Sequence, residues 1–66
     1  MPKGTEFNGE AIIEFIHQGR YVKVTAIDPV TGIEASIVGD PKAPEQTLQE
    51  LAIKRLAYVI KKRSNT

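Results

Sequence analysis

The sequence has no cysteine and no tryptophan, and it contains a single histidine. Without cysteine there can be no disulfide bond, no thiolate metal site and no thiol nucleophile. No apolar stretch approaches the roughly 20 residues of a membrane helix, and the first residues, MPKGTEF, lack the apolar segment of a signal peptide. These absences lead us to expect a protein of the reducing cytoplasm that has no membrane partner.

Motifs that bind phosphate or metal, or that present a catalytic nucleophile, are also missing. The five glycines never form GxGxxG or GxxxxGKS/T, and the chain has no HExxH, GxSxG or EF-hand loop. His17 has no partner at motif spacing, which favours an ordinary polar residue beside a turn. Glu10 and Glu14 would lie about 13 Å apart on a strand, too far for a pair of catalytic carboxylates. We therefore predict no enzyme, no cofactor and no metal site.

Length and composition are typical of one small globular domain. The 66 residues are 41% hydrophobic and 26% charged, a balance found in folded rather than disordered chains. A chain this short has room for one hydrophobic core. Residues 1–9 are polar and contain two Gly and one Pro. We predict a mobile tail there, a single domain over residues 10–63 and a short tail over residues 64–66.

Alternating apolar side chains predict three antiparallel strands, over about residues 10–17, 20–28 and 33–38. Gln18 and Gly19 are predicted as a two-residue hairpin loop, because Gly tolerates the positive φ of such turns. This loop would place Phe15 opposite Val22, both facing the core. Residues 28–32, DPVTG, form the second predicted turn. The result is a meander with the second strand in its centre.

A helix is predicted over about residues 45–63, because apolar side chains recur there at helical spacing. Its apolar stripe comprises Leu48, Leu51, Ala52, Leu56, Val59 and Ile60. Two start signals compete, since Pro44 suits a first helical turn and residues 47–50 match a capping box. The stripe requires an apolar surface, which the core face of the sheet offers. We therefore predict an α+β fold, a three-stranded antiparallel meander with one carboxy-terminal helix packed on one face.

Two segments of the chain resemble a family of short uncharacterised bacterial proteins. The first reads YVKVTAID from Tyr21 and continues as TGxExSIVG from Thr31. The second is the helical pattern LxxLAxxxLxYV, which begins at Leu48. The resemblance covers about residues 10–63. It implies a stand-alone cytoplasmic protein and brings no catalytic residue, ligand or partner with it.

The outer face of the sheet, on the side away from the helix, is the first candidate binding surface. Its large apolar side chains and one lysine are Ile12, Ile16, Tyr21, Lys23, Ile27 and Val38. A contiguous apolar patch would mark a protein-binding surface, whereas β-branched residues also favour strands for their own sake. The first and third strands would be free edges that can pair with another chain. We predict a non-enzymatic protein-interaction module that self-associates, as in a homodimer, through the open sheet face or an edge strand; an unidentified protein partner is the alternative.

The helix is the second candidate surface, because positive charge is concentrated on it. Residues 44–63 contain five cations and two anions, a net charge of +3, so the rest of a chain with total charge +1 carries −2. Cations beside an aromatic ring can hold a phosphate backbone and stack a base. The residues would be Lys54, Arg55, Tyr58, Lys61 and Lys62. Nucleic-acid binding is the alternative function, and compensation of the helix dipole is the simpler explanation of the charge.

Overall fold

Three antiparallel strands and one helix make up the part of the chain that this computed structural model describes, residues 10–64. The elements are β1, Ile12–Gln18; β2, Tyr21–Ile27; β3, Glu34–Gly39; and α1, Glu45–Ser64. The strand order is β1-β2-β3, with β2 in the centre. The predicted α+β meander with a carboxy-terminal helix is confirmed. The tail predicted over residues 1–9 lies outside the described residues, and the helix extends one residue past its predicted end.

The β1–β2 hairpin turns one residue later than the sequence suggested. Its loop is Gly19-Arg20 rather than Gln18-Gly19, and Phe15 pairs with Val24 instead of Val22. The reason is the position of the positive φ. Gly19 has φ +60° and is the first central residue of the turn, while Arg20 has a negative φ, which matches a type II′ turn. Because the register shifts by two residues, every side chain keeps its predicted face.

The β2–β3 turn has the predicted length and register. Asp28 holds it together: its carboxylate accepts hydrogen bonds from Val30 N–H at 3.1 Å and from the Thr31 hydroxyl at 2.9 Å. The Asp28 N–H donates to the Ile33 carbonyl at 2.8 Å, and Gly32 leaves the turn with φ +78°. Asp and Gly therefore act as turn residues, as their chemistry indicates. The ladder that follows pairs residues 22–27 with residues 34–39.

The core lies between the helix and the inner face of β2 and β3. Its buried side chains are Val22, Val24, Ala26, Ala35, Leu48, Ala52, Leu56 and Ile60. The helical members recur every four residues, and the alanines allow the helix to approach the sheet closely. Glu45 is the first helical residue, and Leu48 N–H donates to the Pro44 carbonyl at 3.2 Å. The proline signal therefore marks the start, and the alternative capping box lies inside the first two turns.

The helix is displaced toward one edge of the sheet. It packs against β3 and β2 and barely contacts β1. One residue of the predicted core stripe is consequently exposed: Leu51 is 48% exposed, on the flank of the helix that overhangs β3. Val59, also predicted for the core stripe, is half-buried and packs against the core. Helix α1 is not long and apolar enough to cross a membrane, and the described part of the chain contains no other helix.

Candidate functional site

The overhang of the helix creates a groove along the free edge of β3. We call it the β3 groove. Its volume is about 470 Å³. Strand β3 forms the floor and one flank of α1 forms the wall; the lining residues are Ile37, Val38, Gly39, Leu48, Leu51, Lys54, Arg55 and Tyr58. A cavity of this size is in the range of small-ligand and peptide-binding clefts.

The edge of β3 presents unpaired backbone groups to this groove. Asp28 N–H bonds to the Ile33 carbonyl, and in an antiparallel ladder such bonded pairs recur at every second residue. Residues 33, 35, 37 and 39 therefore turn their N–H and C=O groups toward β2. Glu34, Ser36 and Val38 turn theirs away from it, and within residues 10–64 no further strand lies on that side. The edge can accept another strand.

Apolar side chains are exposed on both sides of the groove. Val38 is 65% exposed and Tyr58 is 58% exposed, and with Leu51 they surround the opening. The exposure of Leu51 follows from the displaced helix, because a helix centred on the sheet would bury this side chain. Exposed apolar groups that gather in a concave surface are typical of binding sites rather than of ordinary surface.

The charge of the groove is entirely positive. Lys54 and Arg55 are exposed on the flank of α1 that lines it, and no lining residue is acidic. About two turns further along the helix, the Lys62 Nζ lies 5.9 Å from the centroid of the Tyr58 ring, within cation–π range. An anionic group that enters the groove would therefore meet two cations, Lys54 and Arg55.

The outer sheet face, the first surface considered from the sequence, is divided rather than contiguous. Ile12 pairs with Ile27 at one end of the sheet. A polar row crosses the sheet next, in which the hydroxyls of Thr25 and Ser36 lie 2.8 Å apart and Glu14 is opposite Thr25. Beyond this row lie Ile16, Tyr21, Lys23 and Val38. The six candidate residues thus form two groups, of which only Val38 reaches the β3 groove.

The basic helix residues also divide. Lys54, Arg55 and Tyr58 line the β3 groove, whereas Lys61 and Lys62 lie beyond it toward the end of the helix. The structure therefore brings Val38 from one predicted set together with three residues from the other. Sequence reasoning missed the contribution of Leu51, which it placed in the core, and of Gly39, which lies just past the end of the third predicted strand.

The remaining polar candidates, His17, Glu10 and Glu14, do not line the β3 groove. His17 is exposed opposite Val22, near the end of β1. No group of three or more His, Asp or Glu side chains is placed to hold a metal ion in residues 10–64. A second cavity of about 360 Å³ lies by the hairpin loop and the β3–α1 loop. Its carboxylate, Asp40, already accepts the Lys42 N–H at 2.9 Å.

Comparison with known proteins identifies a family without supplying an activity. A family model described as a domain of unknown function, DUF6898, matches residues 8–63. No curated protein and no solved structure matches the chain. The match covers most of the sequence, including all three strands and all but the last residue of the helix. The chain belongs to the DUF6898 family.

Proposed function

We propose that this member of the DUF6898 family is a non-enzymatic protein-interaction module, and that its binding surface is the β3 groove. A segment of another chain would lie in the groove as a fourth strand, paired with the free edge of β3. The observation that carries the proposal is the coincidence of an unpaired strand edge with exposed apolar side chains above it. Strand addition uses both features, since backbone bonds supply affinity and side-chain contacts supply selectivity.

The β3 edge is better suited to this role than the β1 edge. Helix α1 overhangs β3 and provides Leu51 and Tyr58 as a wall, whereas it barely contacts β1. A strand added at β3 would therefore be covered on one face as well as bonded along one side. Backbone hydrogen bonds between an added strand and a sheet edge replace hydrogen bonds to water, so by themselves they contribute little net binding free energy. The apolar wall beside β3 adds contacts that the β1 edge lacks, which supports β3 as the binding edge.

Strand addition at β3 accommodates either a second copy of this chain, as expected from the sequence, or a different protein. Both occupants use the same backbone groups of Glu34, Ser36 and Val38. The lining side chains of the groove are aliphatic, aromatic or cationic, a set suited to contact rather than to acid–base chemistry at neutral pH. We place the module in the cytoplasm, which a chain without cysteine suits.

Proline scanning of β3 tests the proposal. The Val38 N–H points away from β2, so Val38→Pro removes a donor from the free edge and leaves the β2–β3 ladder intact. The matched control is Ile37→Pro, which removes a ladder bond to Val24 and is expected to unfold the sheet. The measurement is a two-dimensional amide NMR titration of labelled protein, first over its own concentration and then with a blocked peptide of alternating Val and Thr.

The proposal requires β3 and α1 amides to shift in the native protein in at least one titration, and the shifts to disappear in a folded Val38→Pro variant. Persistence of the same shifts in that variant would show that binding does not use the β3 edge. Absence of any shift at millimolar protein and peptide would count against strand addition as a whole.

Nucleic-acid binding is the second candidate, and the observation that favours it is the cluster of Tyr58 and Lys62 beside Lys54 and Arg55. A ring with cations on either side can stack a base and neutralise phosphates. This function predicts that a short single-stranded DNA shifts amides of residues 54–63, with an affinity that falls steeply as salt rises. Lys61→Glu combined with Lys62→Glu should abolish the shifts; binding that is insensitive to salt would exclude this function.

A further inference from the structure

We infer that the segment that binds in the β3 groove is acidic and belongs to a different protein, not to a second copy of this chain. The inference rests on the proposed function and specifies its partner. It follows from the charge of the lining residues, from the geometry that two copies would adopt, and from the backbone groups at the edge of β3.

The lining charges select against cationic and favour anionic segments. Lys54 and Arg55 border the groove without a carboxylate among the lining residues, and Lys62 lies against Tyr58 at its end. A strand added beside β3 would place its inward side chains beneath this flank of α1. Apolar residues would contact Ile37 and Leu51, and carboxylates at the ends of the segment would reach the cations. Such complementarity raises the association rate and excludes the wrong partners.

Two copies of the chain could pair their β3 edges only by bringing like charges together. An antiparallel pair centred on Ser36 would form one continuous sheet with both helices on the same face. The flank of α1 that carries Lys54 and Arg55 would then face the same flank of the second copy. Like charges in close apposition disfavour a complex. The charge of the groove therefore opposes the symmetric dimer that its edge geometry would permit.

The backbone at the groove distinguishes an acidic peptide from a nucleic acid. Glu34, Ser36 and Val38 offer N–H donors and C=O acceptors at the spacing of a β-strand, and only a polypeptide backbone matches both along its length. Phosphates would use the donors alone and would meet the carbonyl oxygens as repulsive neighbours. The observations therefore favour a protein segment over DNA or RNA.

Two blocked synthetic peptides of about nine residues test the inference. Both have alternating Val and Thr in the centre; the acidic peptide has two Glu at each end, and the neutral peptide has Gln in their place. Amide NMR titrations at low and high salt measure the affinity of each, and analytical ultracentrifugation measures self-association of the protein alone. We expect the acidic peptide to bind about fivefold to tenfold more tightly at low salt and the difference to shrink at high salt.

The variants Lys54→Gln and Arg55→Gln should each remove about twofold to fivefold of the affinity for the acidic peptide and change little for the neutral one. Lys61→Gln is the matched control, because Lys61 is an exposed cation on the same helix that does not line the groove. All three side chains are exposed, so none of the substitutions is expected to disturb the fold.

The outcomes separate this inference from the proposed function. Equal binding of both peptides to β3 would overturn the acidic partner and leave strand addition standing. Self-association through β3 without peptide binding would show that the occupant is a second copy, and would also overturn it. Tighter binding of a short DNA to the same residues would replace both proposals. If none of the titrations gives a response, the proposed function itself is wrong.

Discussion

Gly39 and Leu48 lie so close together that a Cβ atom on Gly39 would be 2.5 Å from Leu48 Cδ2. Gly39 ends β3, and Leu48 is the first buried side chain of α1. The missing side chain therefore lets the start of the helix reach the end of the strand. The same two residues line the end of the β3 groove, so this contact positions the groove as well as the core.

Replacement of Gly39 by Ala should destabilise the fold. Leu48 is buried and cannot swing into solvent without loss of its apolar contacts. Overpacking of this kind costs about 1–3 kcal/mol of unfolding free energy. Urea denaturation followed by circular dichroism gives the value. A change below about 0.5 kcal/mol would show that Leu48 can move aside freely.

A double-mutant cycle identifies Leu48 as the cause. Leu48→Ala alone should cost about 2–5 kcal/mol, because it leaves a cavity in the core. In the double variant the Ala side chain at position 39 no longer meets Leu48, so the combined loss should be smaller than the sum of the two by about 1 kcal/mol or more. If the two losses of unfolding free energy simply add, the strain of Gly39→Ala does not arise from contact with Leu48.

The polar row on the outer sheet face depends on one hydroxyl pair. Thr25 is buried, and its hydroxyl lies 2.8 Å from that of Ser36. Ser36→Ala would leave the buried Thr25 hydroxyl without this partner, at a cost of about 1–3 kcal/mol. Thr25→Val combined with Ser36→Ala removes both groups and should be less destabilising than Ser36→Ala alone. Thermal unfolding of the native protein, the single variant and the double variant measures the difference. If the double variant is the less stable of the two variants, water forms the hydrogen bond to the Thr25 hydroxyl when Ser36 is replaced.

The sequence was sufficient for the fold because each element carries a local signal that agrees with its neighbours. Alternation identified the three strands, and Asp28 with Gly32 identified the second turn and its register. The first turn was misplaced because Gln18-Gly19 and Gly19-Arg20 both supply a two-residue loop that contains glycine. Only the φ of Gly19 decides which position in the turn it occupies. Faces were predicted correctly since the two registers differ by an even number of residues.

The position of Gly19 gives a prediction of its own. A side chain at φ +60° is strained, although nothing lies within 4 Å of a Cβ placed there. Gly19→Ala should therefore destabilise the protein by about 1–2 kcal/mol through the backbone alone. Arg20→Ala is the control, because Arg20 is exposed and has a negative φ. If both substitutions have the same small effect in urea denaturation, the turn is not the type II′ turn described.

The candidate site was less predictable than the fold, and Leu51 shows why. Helical spacing placed it in the core stripe together with Leu56, because spacing defines an apolar face but not where the helix sits over the sheet. That lateral position depends on the bulk of residues far apart in sequence, including the absent side chain of Gly39. Val38 and Tyr58 were both recognised as candidates, yet nothing in the sequence pattern placed them in one groove.

Leu51 and Leu56 should respond differently to the same substitution. Leu56 is fully buried, so Leu56→Ala should cost about 2–5 kcal/mol. Leu51 lies half in solvent above the β3 groove, and Leu51→Ala should cost less than about 1 kcal/mol, because water can fill the space that the side chain leaves. Urea denaturation measures both values. The same Leu51→Ala protein should bind a strand-forming peptide less tightly, since the wall of the groove is lost. A large loss of stability for Leu51→Ala would place this residue in the core, close the groove and leave the edge of β3 without the apolar wall on which strand addition depends.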